Sequence, residues 1–242
     1  MQAGSRYWLV GASEGLGRAL AIKLSEAGVE LALSARSAER LQELADVLPS
    51  GASVHPVDVS DLAAVKDAAT DVGQIDGVIY AAGVYWPMEA RAWDAEAVEA
   101  MCDINFTGAA RVLGECVPAM IERDAGHVVL VGSLSGFRGL PGAIGYGASK
   151  AGLMHLAENL RAELHATGVK VQLVNPGFIK TRLTQKNAFK MPFLLEADAA
   201  ADNVIAAMRS TRFQSNFPRV FSWLFRGANF FPAWAYYRLF GR

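Results

Sequence analysis

The sequence predicts one doubly wound α/β domain, with a central, mostly parallel sheet of about seven strands and helices on both faces. Three observations carry that expectation. Short apolar runs alternate with longer stretches of helical periodicity, and parallel strands need such helical crossovers. The runs are near-continuously apolar, as in sheets covered on both sides. No internal repeat, low-complexity tract or long Pro/Gly/Ser linker interrupts the pattern before Pro176.

Residues 7–10 read as the first strand, followed by a helix over 16–27 that stops at Gly28. Residues 29–34 form the second strand and 39–48 a helix closed by Pro49. A third strand over 53–57 precedes a helix over 62–72, and a fourth covers 77–81. One long helix spans about 94–123, and 128–131 is the fifth strand. Residues 146–167 are helical, and the strand over 169–174 ends at Pro176-Gly177. The order then loosens through 181–195, with a helix near 196–209 and a short strand near 213–217.

Composition narrows the function classes. The chain has 242 residues, 52% of them hydrophobic and 19% charged, which is globular rather than disordered. Its 23 basic and 24 acidic residues argue against a nucleic-acid coat. Cys102 and Cys116 fall in one helical stretch, where 14 positions span roughly 21 Å, too far for a bridge. A reduced, cytosolic setting is expected. Neither a secretory leader nor a membrane span is expected, since no window holds ~18 uncharged apolar residues. His55, His127, His155 and His165 lack ligand spacing, so they read as structural and no metal is expected.

Gly11-Ala12-Ser13-Glu14-Gly15-Leu16-Gly17 sits where the first strand hands over to the first helix. Glycines there let the backbone turn tightly and approach a pyrophosphate, with the helix amino terminus favouring the anion. The spacing is G-x-x-x-G-x-G, a variant of the common dinucleotide turn, and its strand–helix context points to a nucleotide. The second strand ends in Ser34-Ala35-Arg36, with a guanidinium where NAD binding would call for a carboxylate. That substitution suits the 2′-phosphate of NADP. Asp58, after the third strand, either accepts from an adenine amino group or caps the next helix.

Tyr146 and Lys150 stand four apart in a helical stretch and share a face. A phenol of pKa ~10 serves acid–base chemistry near neutrality only if positive charge stabilises its anion, and Lys150 supplies that charge. Ser133, at the carboxyl end of the fifth strand, is placed to hydrogen-bond a carbonyl oxygen. Gly136, Gly139, Gly142 and Gly145 let the intervening loop fold back and bring the two hydroxyls together.

These residues, with Ala81-Ala82-Gly83, Asn105, Tyr146-Gly147-Ala148-Ser149-Lys150 and Asn175-Pro176-Gly177, resemble the short-chain dehydrogenase/reductase family over about residues 6–185. The resemblance implies a Rossmann-type fold that interconverts a ketone and a secondary alcohol with NADP(H). It implies Tyr146 as general acid in reduction, Lys150 lowering its pKa and holding the nicotinamide ribose, Ser133 orienting the carbonyl, and Asn105 in a water-linked proton relay. It also places Gly11, Ser13, Glu14, Gly15, Leu16, Gly17, Arg36, Asp58, Val59, Ala82, Gly83, Tyr146, Lys150, Pro176, Gly177, Ile179 and Thr181 on the cofactor. One departure stands out. Tyr80-Ala81-Ala82-Gly83 replaces the family's usual Asn-Asn-Ala-Gly, which puts a strand-tethering amide bond in question.

Substrate contacts in such a fold come from loops after the fourth, fifth and sixth strands. Here they offer Tyr85, Trp86, Leu134, Phe137, Leu140, Phe178, Leu183, Phe189, Met191, Phe193 and Leu194. Ser133, Tyr146, Tyr85, Phe137 and Phe178 are the leading candidates. Apolar groups dominate, which favours a lipophilic carbonyl such as a long-chain 3-oxo lipid over a sugar.

The chain divides into a dinucleotide-binding and catalytic domain over 1–216 and a basic, aromatic helical extension over 217–242. The extension holds 10 of the chain's 23 aromatics, four arginines and no acid. Helical spacing puts Arg219, Ser222 and Arg226 opposite Val220, Phe221, Trp223, Leu224 and Phe225, and Pro232 starts a second apolar piece. Such a segment suits peripheral contact with a membrane surface; the alternatives are a dimerisation arm or a helix folded over the active site. A different class of function, an NADP-binding redox sensor or scaffold without catalysis, would need only the nucleotide half of these residues.

Overall fold

The computed structural model describes residues 2–187 and 191–241. Strands β1 (Arg6–Val10), β2 (Glu30–Ser34), β3 (Ala52–Val54), β4 (Gly77–Tyr80), β5 (Gly126–Val131), β6 (Val169–Pro176) and β7 (Gln214–Phe217) form one sheet. Its order is β3-β2-β1-β4-β5-β6-β7, and all six pairings are parallel. The order reverses between β1 and β4, and the crevice beyond their carboxyl ends is where ligands of such sheets sit.

Nine α-helices accompany the strands among the described residues: α1 (Gly15–Glu26), α2 (Ala38–Ala45), α3 (Leu62–Val72), α4 (Ala95–Cys102), α5 (Gly108–Glu122), α6 (Ile144–Glu163), α7 (Ala197–Arg209), α8 (Arg219–Ala228) and α9 (Ala233–Phe240). Ser37, Asp61 and Asp94 cap α2, α3 and α4 by accepting from first-turn N–H groups. Successive strand residues point to opposite faces, so β1 alone feeds two cores. Leu9 packs with Leu20, Leu24, Leu41, Leu44 and Met208 under α1, α2 and α7. Trp8 and Val10 pack with Val65, Val112, Leu113 and Leu153 under α3, α5 and α6.

Several polar groups buried in these layers are paired in chains. Trp8 Nε1 donates to Ser34 Oγ (2.8 Å), which donates to the His55 carbonyl (2.7 Å). Burial and the Lys170 charge push His127 down to about 4, so its ring is neutral. Its Nε2 meets Gln172 Oε1 at 2.8 Å, leaving Nδ1 to accept from the Tyr7 hydroxyl at 2.8 Å. His55 bridges Asp71 and Ser53. Both histidines tie elements together.

Two boundaries differ from the sequence expectation. The third strand is Ala52–Val54, not 53–57, although the Val57 N–H still donates to the Ala35 carbonyl. The helix expected over 94–123 is broken in register: a π turn, Asp103–Thr107, separates α4 from α5. An extra residue in a helical turn aims side chains that an α-helix would point elsewhere, a device common at functional sites.

Candidate active site

The carboxyl ends of β1, β2, β4, β5 and β6 open onto a groove of about 830 Å³. Its floor is the glycine turn. A Cβ on Gly11 would strike the Ala82 backbone, and one on Gly17 the Gly11 carbonyl, so both positions demand bare backbone. Glu14 precedes α1 without capping it by a side-chain bond, and no acid stands in the helix's first turn. The N–H groups there face the groove with their partial positive charge available to an anion.

All the expected cofactor residues line this one groove: Gly11, Ser13, Glu14, Gly15, Leu16, Gly17, Arg36, Asp58, Val59, Ala82, Gly83, Tyr146, Lys150, Pro176, Gly177, Ile179 and Thr181. The two roles weighed for Asp58 separate. Asp61 caps α3, whereas Asp58 accepts from the Ser60 N–H and hydroxyl at the groove wall. Burial opposes its charge, but those bonds and the Arg36 and Arg111 charges hold its pKa below the usual carboxylate range. Arg40 and Arg182, which no sequence motif marks, flank the same groove. Both pair with Glu14, at 3.4 and 2.8 Å, from positions 26 and 168 residues away in the chain. Nothing local in the sequence marks that pairing.

Ser133 and Tyr146 stand where this groove meets a second cavity of about 790 Å³ and line both. Ser133 Oγ accepts from the Ser135 N–H (3.2 Å) and hydroxyl (3.0 Å), which fixes it at the end of β5. Burial pushes the Tyr146 phenol up to about 12, against a hydrogen bond with Ser133 that lowers it. Lys150 is buried, and its Nζ donates to the Val131 carbonyl at 2.9 Å and lies 5.9 Å from the Tyr146 ring centre. Desolvation pushes its pKa down to about 8. Burial raises the phenol's pKa more than the Ser133 bond lowers it, and the phenol is protonated near neutrality.

Asn105 lies in the π turn, fully buried and outside both cavity walls. Its Oδ1 accepts from Val84 N–H (2.7 Å), and its Nδ2 donates to the Val84 carbonyl and Ser149 Oγ (3.0 Å each). It thus pins the loop after β4 to the helix that carries Tyr146 and Lys150.

A short chain dehydrogenase family model matches residues 7–191. An "uncharacterized oxidoreductase" of Myxococcus xanthus is 41% identical over 201 residues, 80% of this chain and 79% of that protein. The chain is a short-chain dehydrogenase. Another uncharacterized oxidoreductase, from Staphylococcus epidermidis, is 34% identical over 83% of this chain and 89% of its own. Among solved structures, a short chain dehydrogenase from Burkholderia cenocepacia in complex with NADP superposes with a TM-score of 0.87 at 26% identity, covering 99% of each chain. One from Sphingobium yanoikuyae in complex with NADPH gives 0.84 at 26% identity, covering 93% of this chain and 92% of that one.

In this short-chain dehydrogenase the amide tether questioned at Tyr80 is replaced by a phenol. Tyr80 is buried, and its hydroxyl donates to the Ile104 carbonyl at 2.5 Å, tying β4 to the π turn.

The second cavity also sorts the substrate candidates. Tyr85, Phe178, Leu134, Leu140 and Leu183 line it. Tyr85 stands edge-on to Tyr146, ring centres 5.0 Å apart, and donates to Asn187 Oδ1. Phe137 does not line it. The 3₁₀ turn over Leu134–Gly136 carries Phe137 away to pack on the core beneath α6. Trp86 sits under the Lys186 ammonium, outside the wall, and Phe193 and Leu194 are exposed. Met191 does not line the wall either, and Phe189 lies outside the described residues.

Three wall residues come from 217–242: Phe221, Phe225 and Phe240. The extension folds over the active-site rim as α8 and α9, one of the dispositions weighed from sequence. The expected facing of α8 is corrected. Ser222 and Phe221 are buried while Val220, Trp223 and Leu224 are exposed, because the rim admits one narrow strip of the helix.

Proposed function

We propose that this dehydrogenase interconverts a ketone and a secondary alcohol with NADP(H), and that its substrate is a lipophilic 3-oxo lipid-like carbonyl compound. The observation that carries the reading is the meeting of the Ser133 and Tyr146 hydroxyls with an aromatic cavity walled by Phe178, Phe221, Phe225 and Phe240. The glycine cradle and uncapped α1 fit a dinucleotide pyrophosphate. Arg36 and Ser37, with no carboxylate at the end of β2, suit a 2′-phosphate.

When bound in the groove, NADPH would supply a hydride to the carbonyl carbon. In reduction, Ser133 Oγ donates a hydrogen bond to the substrate oxygen and holds it beside Tyr146. The Tyr146 hydroxyl, protonated at neutral pH, transfers its proton to that oxygen; in oxidation it takes one back. The Lys150 ammonium stabilises the phenolate as it forms. Asn105 Oδ1 and Lys150 Nζ both lie within 4 Å of the space beside Gly83. They flank the route by which a water-linked relay would return the proton to Tyr146. The extension over 217–242 serves as a distinct element, closing the substrate cavity and contacting a membrane surface from the cytoplasmic side.

NADPH consumption against 3-oxo esters of graded chain length tests this. kcat/KM should rise with chain length, and Tyr146→Phe should lower kcat by about a thousandfold or more while sparing NADPH affinity. Tight NADPH binding without turnover of any carbonyl would leave only a nucleotide-binding role.

A further inference from the structure

Eight of the fifteen exposed large hydrophobics among the described residues lie between 220 and 239. The most exposed are Phe230 (89%), Trp234 (73%), Val220 (72%), Leu239 (68%) and Trp223 (67%), none of which lines the cavity. Arg219, Arg226 and Arg238 stand among them, and none forms an ion pair among the described residues. No acid occurs from 203 to 242. On the opposite side of the same two helices, Phe221 packs at 4.9 Å on Phe225 and covers the cavity. The hairpin is held from below: Arg138 stacks 3.9 Å over the Tyr236 ring and donates to the Ala228 and Phe231 carbonyls, while the Tyr236 hydroxyl donates to Gly139.

We propose that the outer face of α8 and α9 docks on an anionic lipid surface. Aromatic side chains at such an exposure, mixed with arginines, suit the headgroup boundary, where rings enter the apolar layer and guanidiniums pair with phosphates. Charge separates this occupant from a second copy of the chain. A two-fold contact sets a patch against itself, so arginines would meet arginines with no carboxylate to pair them. Anionic lipid supplies the missing countercharge. The proposal rests on the lipophilic substrate reading for its use: with one face in lipid and the other on the cavity, the carbonyl compound moves between bilayer and catalytic hydroxyls past the edge of one hairpin.

The test is co-sedimentation of the full chain with phosphatidylcholine vesicles, with and without phosphatidylglycerol, in the absence of substrate. The chain should pellet with the anionic vesicles, and added salt should weaken the binding. A Trp223→Glu, Trp234→Glu double variant should lose about tenfold or more of that partitioning. Its kcat/KM toward a short, water-soluble ketone should stay unchanged, which also shows that it folds. Phe225→Ala, on the inner face, should pellet like the parent. Absence of the chain from the anionic pellet, or pelleting that survives the double substitution, overturns the proposal. So does a dimer in lipid-free buffer that the double substitution splits. A chain that pellets yet reduces only small polar ketones supports docking and refutes the lipophilic substrate. One that reduces long ketones without pelleting does the reverse.

Discussion

In the proposed mechanism, Lys150 sets the pH range of ketone reduction. Its ammonium, held at the Val131 carbonyl, has its pKa pushed down to about 8 by burial. Below that pH the charge is present to stabilise the Tyr146 phenolate; as pH rises through it, the charge is lost. The kcat/KM for NADPH-linked reduction is therefore expected to fall above about pH 8. Lys150→Arg should abolish that limb, since a guanidinium keeps its proton, and an unmoved limb would assign it to another group. In the proposed function, Arg36 meets the other end of the cofactor. Arg36→Asp should weaken NADPH relative to NADH by about tenfold to a hundredfold, measured as the ratio of dissociation constants. The placement of both residues on the groove was legible in the sequence because their signals are local: a helical i, i+4 pair and a side chain at the end of a strand. Arg40, Arg182 and the Phe240 wall were not legible. Their meaning depends on partners far along the chain, which no window of sequence brings together.

Among elements, the loop between β5 and α6 and the α8–α9 hairpin act as a unit joined by Arg138. Arg138→Ala removes two carbonyl bonds and a stacking contact, a local loss of about 1–3 kcal/mol. Amide exchange over 219–240 should accelerate, and kcat/KM should drop several-fold for long ketones but not short ones. Equal loss for all chain lengths would place the damage in the catalytic loop instead. Most strands and helices through β6 were legible from periodicity because they bury apolar faces; the bounds of the half-buried β3 and the π turn within 94–123 were not. The facing of α8 was not. A helix rich in apolar residues on several sides is oriented by the surface it meets, and the rim of the cavity chose Phe221 and Ser222 over Trp223.

Across the whole molecule, charge is unevenly distributed along the chain. Residues 1–202 hold 17 basic and 24 acidic side chains, and residues 203–242 hold six arginines and no acid. No helix among the described residues is long and apolar enough to cross a membrane. The near-neutral total conceals an acidic catalytic body with a basic aromatic cover.

The π turn at Asp103–Thr107 bears on how this chain tolerates changes in length. Each helical residue advances the helix by about 100°. Deleting one residue between 103 and 107 would convert the segment to an uninterrupted α-helix with better local hydrogen bonds. It would also rotate α4 by that angle against α5, carrying Met101 out from beneath Gly145, where a Cβ would stand 2.6 Å from its Cε. Asn105 would swing off Val84 and Ser149. The stretch is thus intolerant of a single-codon loss, and the less regular helix is the one that keeps the site assembled.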